Sequence, residues 1–293
     1  MQLEHMRLFR DIAQSRSVSR GAQLNQVSQS AASQHLQELE RGFGIDLIDR
    51  STRPIRLTPA GQAYLEFCRE VLRRKSEFET ELDELKLSTS GEVRVASIYS
   101  VGLSKMNRIE GEFRKRYRDA QLKVEYLRPE KVYDAVRQER ADVGIVSYPL
   151  ANRELTASPW RKEKMVLVMP PSHPLAASRR VTPAKLDGAD FVGFDEDLPI
   201  RKDIDRYLKE NGAEVHLVMH FDNLQMIKEA VALGRGVSIV PHPVVEKEVQ
   251  EGKVEVAELS PSLIRPLGII HRRNAKMSRA VRAFLEMLME EAG

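Results

Sequence analysis

Between Ser28 and Phe43, uncharged hydrogen-bonding side chains fall at spacings that gather them on one side of a helix. Gln29, Ser30, Ser33, Gln34 and Gln37 make this face, with Arg41 at its end, while Ala32, Leu36, Leu39 and Phe43 form an apolar stripe opposite. Amides and hydroxyls are the groups that read base edges in the major groove. A glutamine can pair two of its atoms with adenine, and a serine hydroxyl fits several bases. The plain alternative is a solvated helix surface. Arg50, Arg53 and Arg56 follow around a proline-containing turn, a set suited to phosphates or the minor groove if it is not ordinary surface charge.

The flanking segments supply the elements that would hold these groups. Leu3, Met6, Phe9, Ile12 and Ala13 recur at helical spacing and predict a first amphipathic helix. Ser19 is the expected cap of a second, running from Arg20 to about Asn25, and Ser28 of a third, which Gly44 ends. The alternation from Leu47 to Thr58 predicts a small β-hairpin, or wing. Thr58-Pro59 then joins a capping hydroxyl to a proline at the first helical position, opening a helix to about Leu87. Along it Cys68, Val71, Lys75, Phe78, Leu82 and Leu85 alternate at spacings of four and three, a heptad seam that calls for a partner helix. Lys75 would weaken that seam or set its register.

After a short hinge, 88–91, the pattern becomes alternating strands and helices. Strands are expected at 92–98, 122–127, 142–147, 164–169, 191–194, 215–221, 236–240 and 267–271. Helices are expected from about Ser100, over 129–140, 199–211 and 224–233, and over 278–290 at the end. This is an α/β half with parallel or mixed sheets.

The 293 residues exceed one ordinary core, so two or three domains are expected. A formal charge of +3 permits nucleic-acid binding without arguing for it; any positive field must be local. Cys68, the single cysteine, rules out a disulfide framework and fits a reducing compartment. No signal-peptide core and no membrane-length apolar run appears, which predicts a cytoplasmic protein. His216 and His220 stand four apart, but on a predicted strand, where four residues span ~13 Å, too far for joint metal ligation. Cys68 has no resolving thiol, so packing is expected rather than redox sensing or a disulfide across a dimer. There is no phosphate loop, nucleophile elbow or metalloprotease motif, and no catalytic residue, metal or cofactor is expected.

From Ala22 to Leu65 the chain resembles the LysR-type transcriptional regulators. The resemblance is carried by Val27-Ser28-Gln29-Ser30-Ala31-Ala32-Ser33, Leu39-Glu40, Gly44, Leu47, Arg50 and Arg56-Leu57-Thr58-Pro59-Ala60-Gly61. Weaker landmarks are His173-Pro174-Leu175, the run from Ala232 to Pro241, and the terminal helix. Asn25 stands where the family usually buries a leucine, which would shift the turn before the third helix, and Ile48 where it usually has phenylalanine. The resemblance implies an α/β protein with an N-terminal winged helix-turn-helix (1–58) and a linker and dimerisation helix with its hinge (59–90). A two-lobed periplasmic-binding-protein-like effector domain follows (91–293), with lobe I at about 91–162 and 266–293 and lobe II at about 163–265. It also implies a homodimer or homotetramer and a small effector, often anionic, between the lobes. Two recognition helices in a dimer would face two half-sites, so a pseudo-palindromic operator on double-stranded DNA is expected.

Strand ends that lead into helices offer free backbone N–H groups to anions. On that ground the effector is expected to meet Ser97, Tyr99, Ser100 and Val101, with Arg128, Ser147 and Tyr148 at further strand ends of lobe I. Ser100 could instead only cap its helix. From lobe II, Arg201 could clamp a carboxylate or pair with Asp195, Asp197 or Asp205, and Phe221 and Asn223 close the opposite wall. The alternatives weighed are a solute-binding protein, which the winged helix opposes, and an enzyme carrying an accessory DNA-binding domain.

Overall fold

A computed structural model of the chain describes residues 2–85 and 89–291. The expected helix end at Leu87 and the first hinge residue, Ser88, lie outside them. The chain divides into two units, Met1–Leu85 and Lys86–Gly293.

The first unit holds α1 (Leu3–Ser15), α2 (Val18–Leu24), α3 (Gln29–Phe43), β1 (Ile48–Asp49), β2 (Arg56–Leu57) and α4 (Pro59–Leu85). Its core gathers Met6, Phe9, Ile12, Ala32, Leu36, Leu47, Tyr64 and Cys68. The cap of α2 is Ser17, two residues before the expected Ser19; its hydroxyl accepts from the Arg20 N–H at 3.2 Å. α1 therefore turns back at Arg16, and α2 packs so closely that a Cβ on Gly21 would sit 2.4 Å from Ile12 Cγ1. Ser28 caps α3 through the Ala31 N–H at 3.1 Å, and Gly44, at φ 66°, ends it. Asn25 leaves the turn between α2 and α3 tight. Its amide donates to Asp11 Oδ2 and to the Gly21 carbonyl, both at 2.9 Å, so the polar residue is paired where an apolar one would pack. Phe43 departs from the apolar stripe: its ring is half-exposed and meets Tyr64 edge-on.

The wing is a two-residue ladder, Ile48 opposite Leu57 and Asp49 opposite Arg56. Thr58 caps α4 through the Gly61 N–H at 3.0 Å, and its hydroxyl donates to the Asp46 carbonyl at 2.7 Å. The heptad seam divides in two. Cys68 is fully buried in the core of the unit with Tyr64, and burial pushes its thiol up to about 11. Further along, Phe78 and Leu82 are exposed, and Lys75 pairs with Glu79 on its own helix.

The second unit is a mixed α/β structure with two hydrophobic cores. The first, lobe I, holds β3 (Gly91–Ile98), α5 (Tyr99–Val101), a π-helical stretch Gly102–Met106, α6 (Asn107–Arg116), β4 (Ala120–Leu127), α7 (Pro129–Arg137) and β5 (Val143–Ser147). β6 (Leu155–Met169) then runs out of lobe I into lobe II. Lobe II adds β7 (Arg180–Val181), β8 (Asp190–Phe194), α8 (Pro199–Glu210), β9 (His216–Phe221), α9 (Leu224–Ala232), β10 (Ser238–Pro241), α10 (Glu246–Gln250) and β11 (Glu255–Leu259). β12 (Ile264–Arg272) returns to lobe I, and α11 (Arg279–Glu290) closes it.

β3 lies parallel to β4 and β5, and β12 lies antiparallel to β5 and β6. Two antiparallel strands, β6 and β12, thus carry the chain between the lobes. β6 is far longer than the expected 164–169, and β7 and β11 carried no sequence expectation. No helix among the described residues is long and apolar enough to cross a membrane.

Candidate nucleic-acid interface and interlobe cleft

On α3, Gln29, Ser30, Gln34 and Gln37 are exposed and Ser33 is half-buried, so the five expected residues share one outward face. The Gln34 amide donates to Glu38 Oε1 one turn on, at 3.0 Å, and Ser30 Oγ lies 2.9 Å from Ser28 Oγ. Ala32 and Leu36 seat the opposite face in the core.

Glu40 fixes α3 to the wing. It is buried, yet one carboxylate oxygen accepts from the Leu47 and Ile48 N–H groups at 2.9 and 3.1 Å, and the other from Arg50 at 2.6 Å. A carboxylate so supplied with donors tolerates burial, because its hydration is replaced bond for bond. Arg50, half-exposed, is thereby tied into the protein, whereas Arg53 and Arg56 are exposed on the wing. Asp49, opposite Arg56, is held below the usual carboxylate range, chiefly by hydrogen bonds from Ser51 and then by the Arg56 charge.

In the second unit a cleft opens between the lobes. Its lining includes Ile98, Tyr99, Ser100, Leu127, Arg128 and Ser147 from lobe I, and Phe194, Leu198, Ile200, Asp222 and Leu224 from lobe II. Arg265, on the crossing strand β12, also lines it. Four expected residues therefore meet there: Tyr99, Ser100, Arg128 and Ser147.

The other six are placed elsewhere. Ser97 and Val101 are fully buried and outside the lining. Tyr148, at φ 52°, turns its hydroxyl to Asp203 Oδ2 at 2.8 Å, an interlobe contact outside the cleft lining. Phe221 packs against the lobe II core, and Asn223 caps α9 through the Gln225 N–H at 2.8 Å. Arg201 is drawn away from the cleft. It donates to both Asp205 oxygens at 2.7 and 2.8 Å and to the Phe194 carbonyl at 2.8 Å, in a groove with Asp187 and Lys209. A carboxylate one helical turn along the same helix satisfies its fork, so the pairing with Asp205 prevails over the clamp. His220, on β9, has Asp195 as partner at 2.7 Å.

Sequence reasoning missed Arg265 and Glu163. They stand directly opposite each other in the β6–β12 ladder, 2 % and 4 % exposed. Arg265 donates through Nε and Nη2 to Glu163 Oε2, and through Nη1 to Ser100 Oγ at 3.0 Å. Lys105 Nζ lies 3.9 Å from Glu163 Oε1. The cleft floor is thus a neutralised ion pair that also presents a guanidinium edge, under mostly apolar walls.

Residues 3–62 match the family described as "Bacterial regulatory helix-turn-helix protein, lysR family", and residues 87–293 match the "LysR substrate binding domain". The RuBisCO operon transcriptional regulator of Allochromatium vinosum is 27% identical over 292 residues, covering 99% of this chain and 96% of that one. The uncharacterized HTH-type transcriptional regulator YeiE of Escherichia coli is 27% identical, covering 97% and 96%. Among solved structures, a full-length OxyR variant from Pseudomonas aeruginosa matches with a TM-score of 0.72 at 23% identity, covering 100% of this chain and 94% of that one. CbnR, a LysR family transcriptional regulator, matches with a TM-score of 0.69 at 17% identity, covering 100% of both chains.

Proposed function

Because the chain belongs to the LysR family of bacterial transcriptional regulators, we propose that its two halves divide the work between the α3–wing surface, which reads DNA, and the interlobe cleft, which takes a small effector. Members of the family are regulators rather than enzymes; they bind DNA and small molecules and form oligomers.

The observation that carries the DNA reading is the outward, uncharged face of α3 together with a wing that exposes Arg53 and Arg56. Gln29, Ser30, Ser33, Gln34 and Gln37 read bases, and Arg53 and Arg56 grip phosphate or the minor groove. Arg50 serves the wing first, through Glu40, and faces DNA only with what that bond leaves. The operator is double-stranded and pseudo-palindromic, and the protein binds it as a homodimer or homotetramer. Exposed Phe78 and Leu82 on α4 support pairing of that helix with a second copy. A chromosomal operator places the protein in the cytoplasm. In the cleft, Tyr99, Ser100 and Ser147, with Arg265 at the floor, contact the effector, for which an acidic group suits the guanidinium edge.

Titration of duplexes tests the DNA assignment. Gln34→Ala is expected to lose about 1–3 kcal/mol on the specific site only. Arg53→Ala is expected to lose affinity on specific and scrambled duplexes alike, with a shallower salt dependence. Equal losses on both duplexes for Gln34→Ala would remove it from base reading.

A further inference from the structure

The cleft encloses about 50 Å³. That is room for a few waters, against ~300 Å³ or more for a metabolite-sized pocket. A metabolite enters only if the lobes part, so whatever holds the mouth shut governs entry. Besides the Tyr148–Asp203 bond, which lies outside the cleft lining, lobe I reaches across at the cleft itself through Arg128. Arg128, at the end of β4, donates to Asp197 Oδ2 at 2.7 Å and to Asp222 Oδ2 at 3.0 Å, and lies 3.8 Å from Asp195 Oδ2. All three carboxylates belong to lobe II; Glu130, the fourth near Arg128, is on its own lobe, 3.2 Å from Nε.

We propose that Arg128 is a latch that keeps the cleft closed without effector, and that effector binding is read by the regulator as release of that latch. The proposal rests on the interlobe cleft being the effector site. Asp195 has a second partner in His220, at 2.7 Å, while Asp197 and Asp222 look to Arg128. Withdrawing the guanidinium breaks the ion pairs that tie lobe I to lobe II and leaves Glu130 of lobe I facing like charges across the cleft, which favours the open arrangement. The Arg265–Glu163 pair sits on the two strands that cross between the lobes, directly opposite in register, so a pivot on those strands keeps it together. The latch gives Arg128 a sign opposite to that of a simple effector ligand. Removing a ligand residue weakens effector binding and leaves the lobes closed. Removing a latch opens the free protein and tightens effector binding, because the closed population no longer reduces the competent fraction.

The opening is measurable without any effector. Spin labels on Lys131→Cys in lobe I and Lys202→Cys in lobe II, in the full chain, report the interlobe distance by pulsed dipolar spectroscopy. Cys68 is fully buried and stays unlabelled at neutral pH. Arg128→Gln is expected to lengthen and broaden the distance by several ångströms. The double variant Asp197→Asn/Asp222→Asn is expected to do the same from the other lobe. In the parent, ~1 M salt, where the Debye length is ~3 Å, is expected to produce the same shift, and to add nothing to Arg128→Gln. Distances unchanged in both variants, with melting curves showing them folded, overturn the latch. So does a parent distance indifferent to salt, an arm that needs no latch variant to fold. A latch that fails here leaves the effector site standing, and a cleft that binds no effector leaves the measured opening standing.

Discussion

Glu40 shows how one buried acid organises a surface. Its two oxygens collect the backbone N–H groups of Leu47 and Ile48 and the guanidinium of Arg50, so the helix presenting the hydrogen-bonding face and the strand leading into the wing share one anchor. Glu40→Ala strands two backbone donors at a buried site, each costing ~1–3 kcal/mol when unsatisfied. Urea unfolding of the full chain is expected to show a loss of at least ~2 kcal/mol, and Glu40→Gln, which keeps one acceptor, a smaller one. Equal stability of Glu40→Ala and the parent would reduce the anchor to an ordinary surface contact. At this scale the sequence was readable where periodicity alone places a residue, as with the Gln29–Gln37 face. It was not readable where a fork chooses among acids. Arg201, Asp195, Asp197 and Asp205 are all near in sequence, and the structure joins Arg201 to Asp205, Asp195 to His220 and Asp197 to Arg128. Glu163 sits in the charged run Arg161-Lys162-Glu163-Lys164, which reads as solvated, and only its cross-strand partner Arg265 reveals a buried pair.

Helices with chemical punctuation declare themselves, and α4 is the clearest case. Thr58 caps it, Pro59 starts it, and Gly61 lets its first turn lie against the chain at Leu47, where an added Cβ would stand 1.9 Å from the Leu47 carbonyl oxygen. That same carbonyl accepts from the Thr58 N–H at 3.0 Å. Gly61→Ala must push the helix off its seat and lose that bond, so a destabilisation of ~1–3 kcal/mol or more is expected. Gly42 makes the internal control. It lies in α3 with nothing near its Cβ position, and Gly42→Ala is expected to be neutral or stabilising by up to ~1 kcal/mol. Equal melting temperatures for the two variants would refute the seating argument. Strands lack such punctuation. The first part of β6, Leu155 to Glu163, mixes polar and apolar residues, and its pairing with β12 is set by residues about 100 positions away. Short β7 and β11 are defined by their neighbours for the same reason.

At the scale of the whole molecule, the exposed part of the α4 seam is the proposed assembly surface. The first half of the seam, Cys68 and Val71, is used up within or against the first unit's own core. Phe78 and Leu82, four apart on one helix face, remain 58% and 43% exposed, an apolar pair that a second copy can cover. In a two-fold dimer each contact is made twice. Four such side chains, at roughly 1.5 kcal/mol each on burial, would contribute ~6 kcal/mol to association. The double variant Phe78→Glu/Leu82→Glu replaces that gain with repulsion across the axis, and a dissociation constant raised by at least ~100-fold is expected from sedimentation. Binding to a duplex with two half-sites should fall with it, because the second half-site contact is no longer intramolecular. Binding to a single half-site, read by the intact α3 face, should change little. A variant that sediments as the parent would place the dimer contact elsewhere. A variant that dissociates yet binds the two-site duplex unchanged would break the link between assembly and operator symmetry.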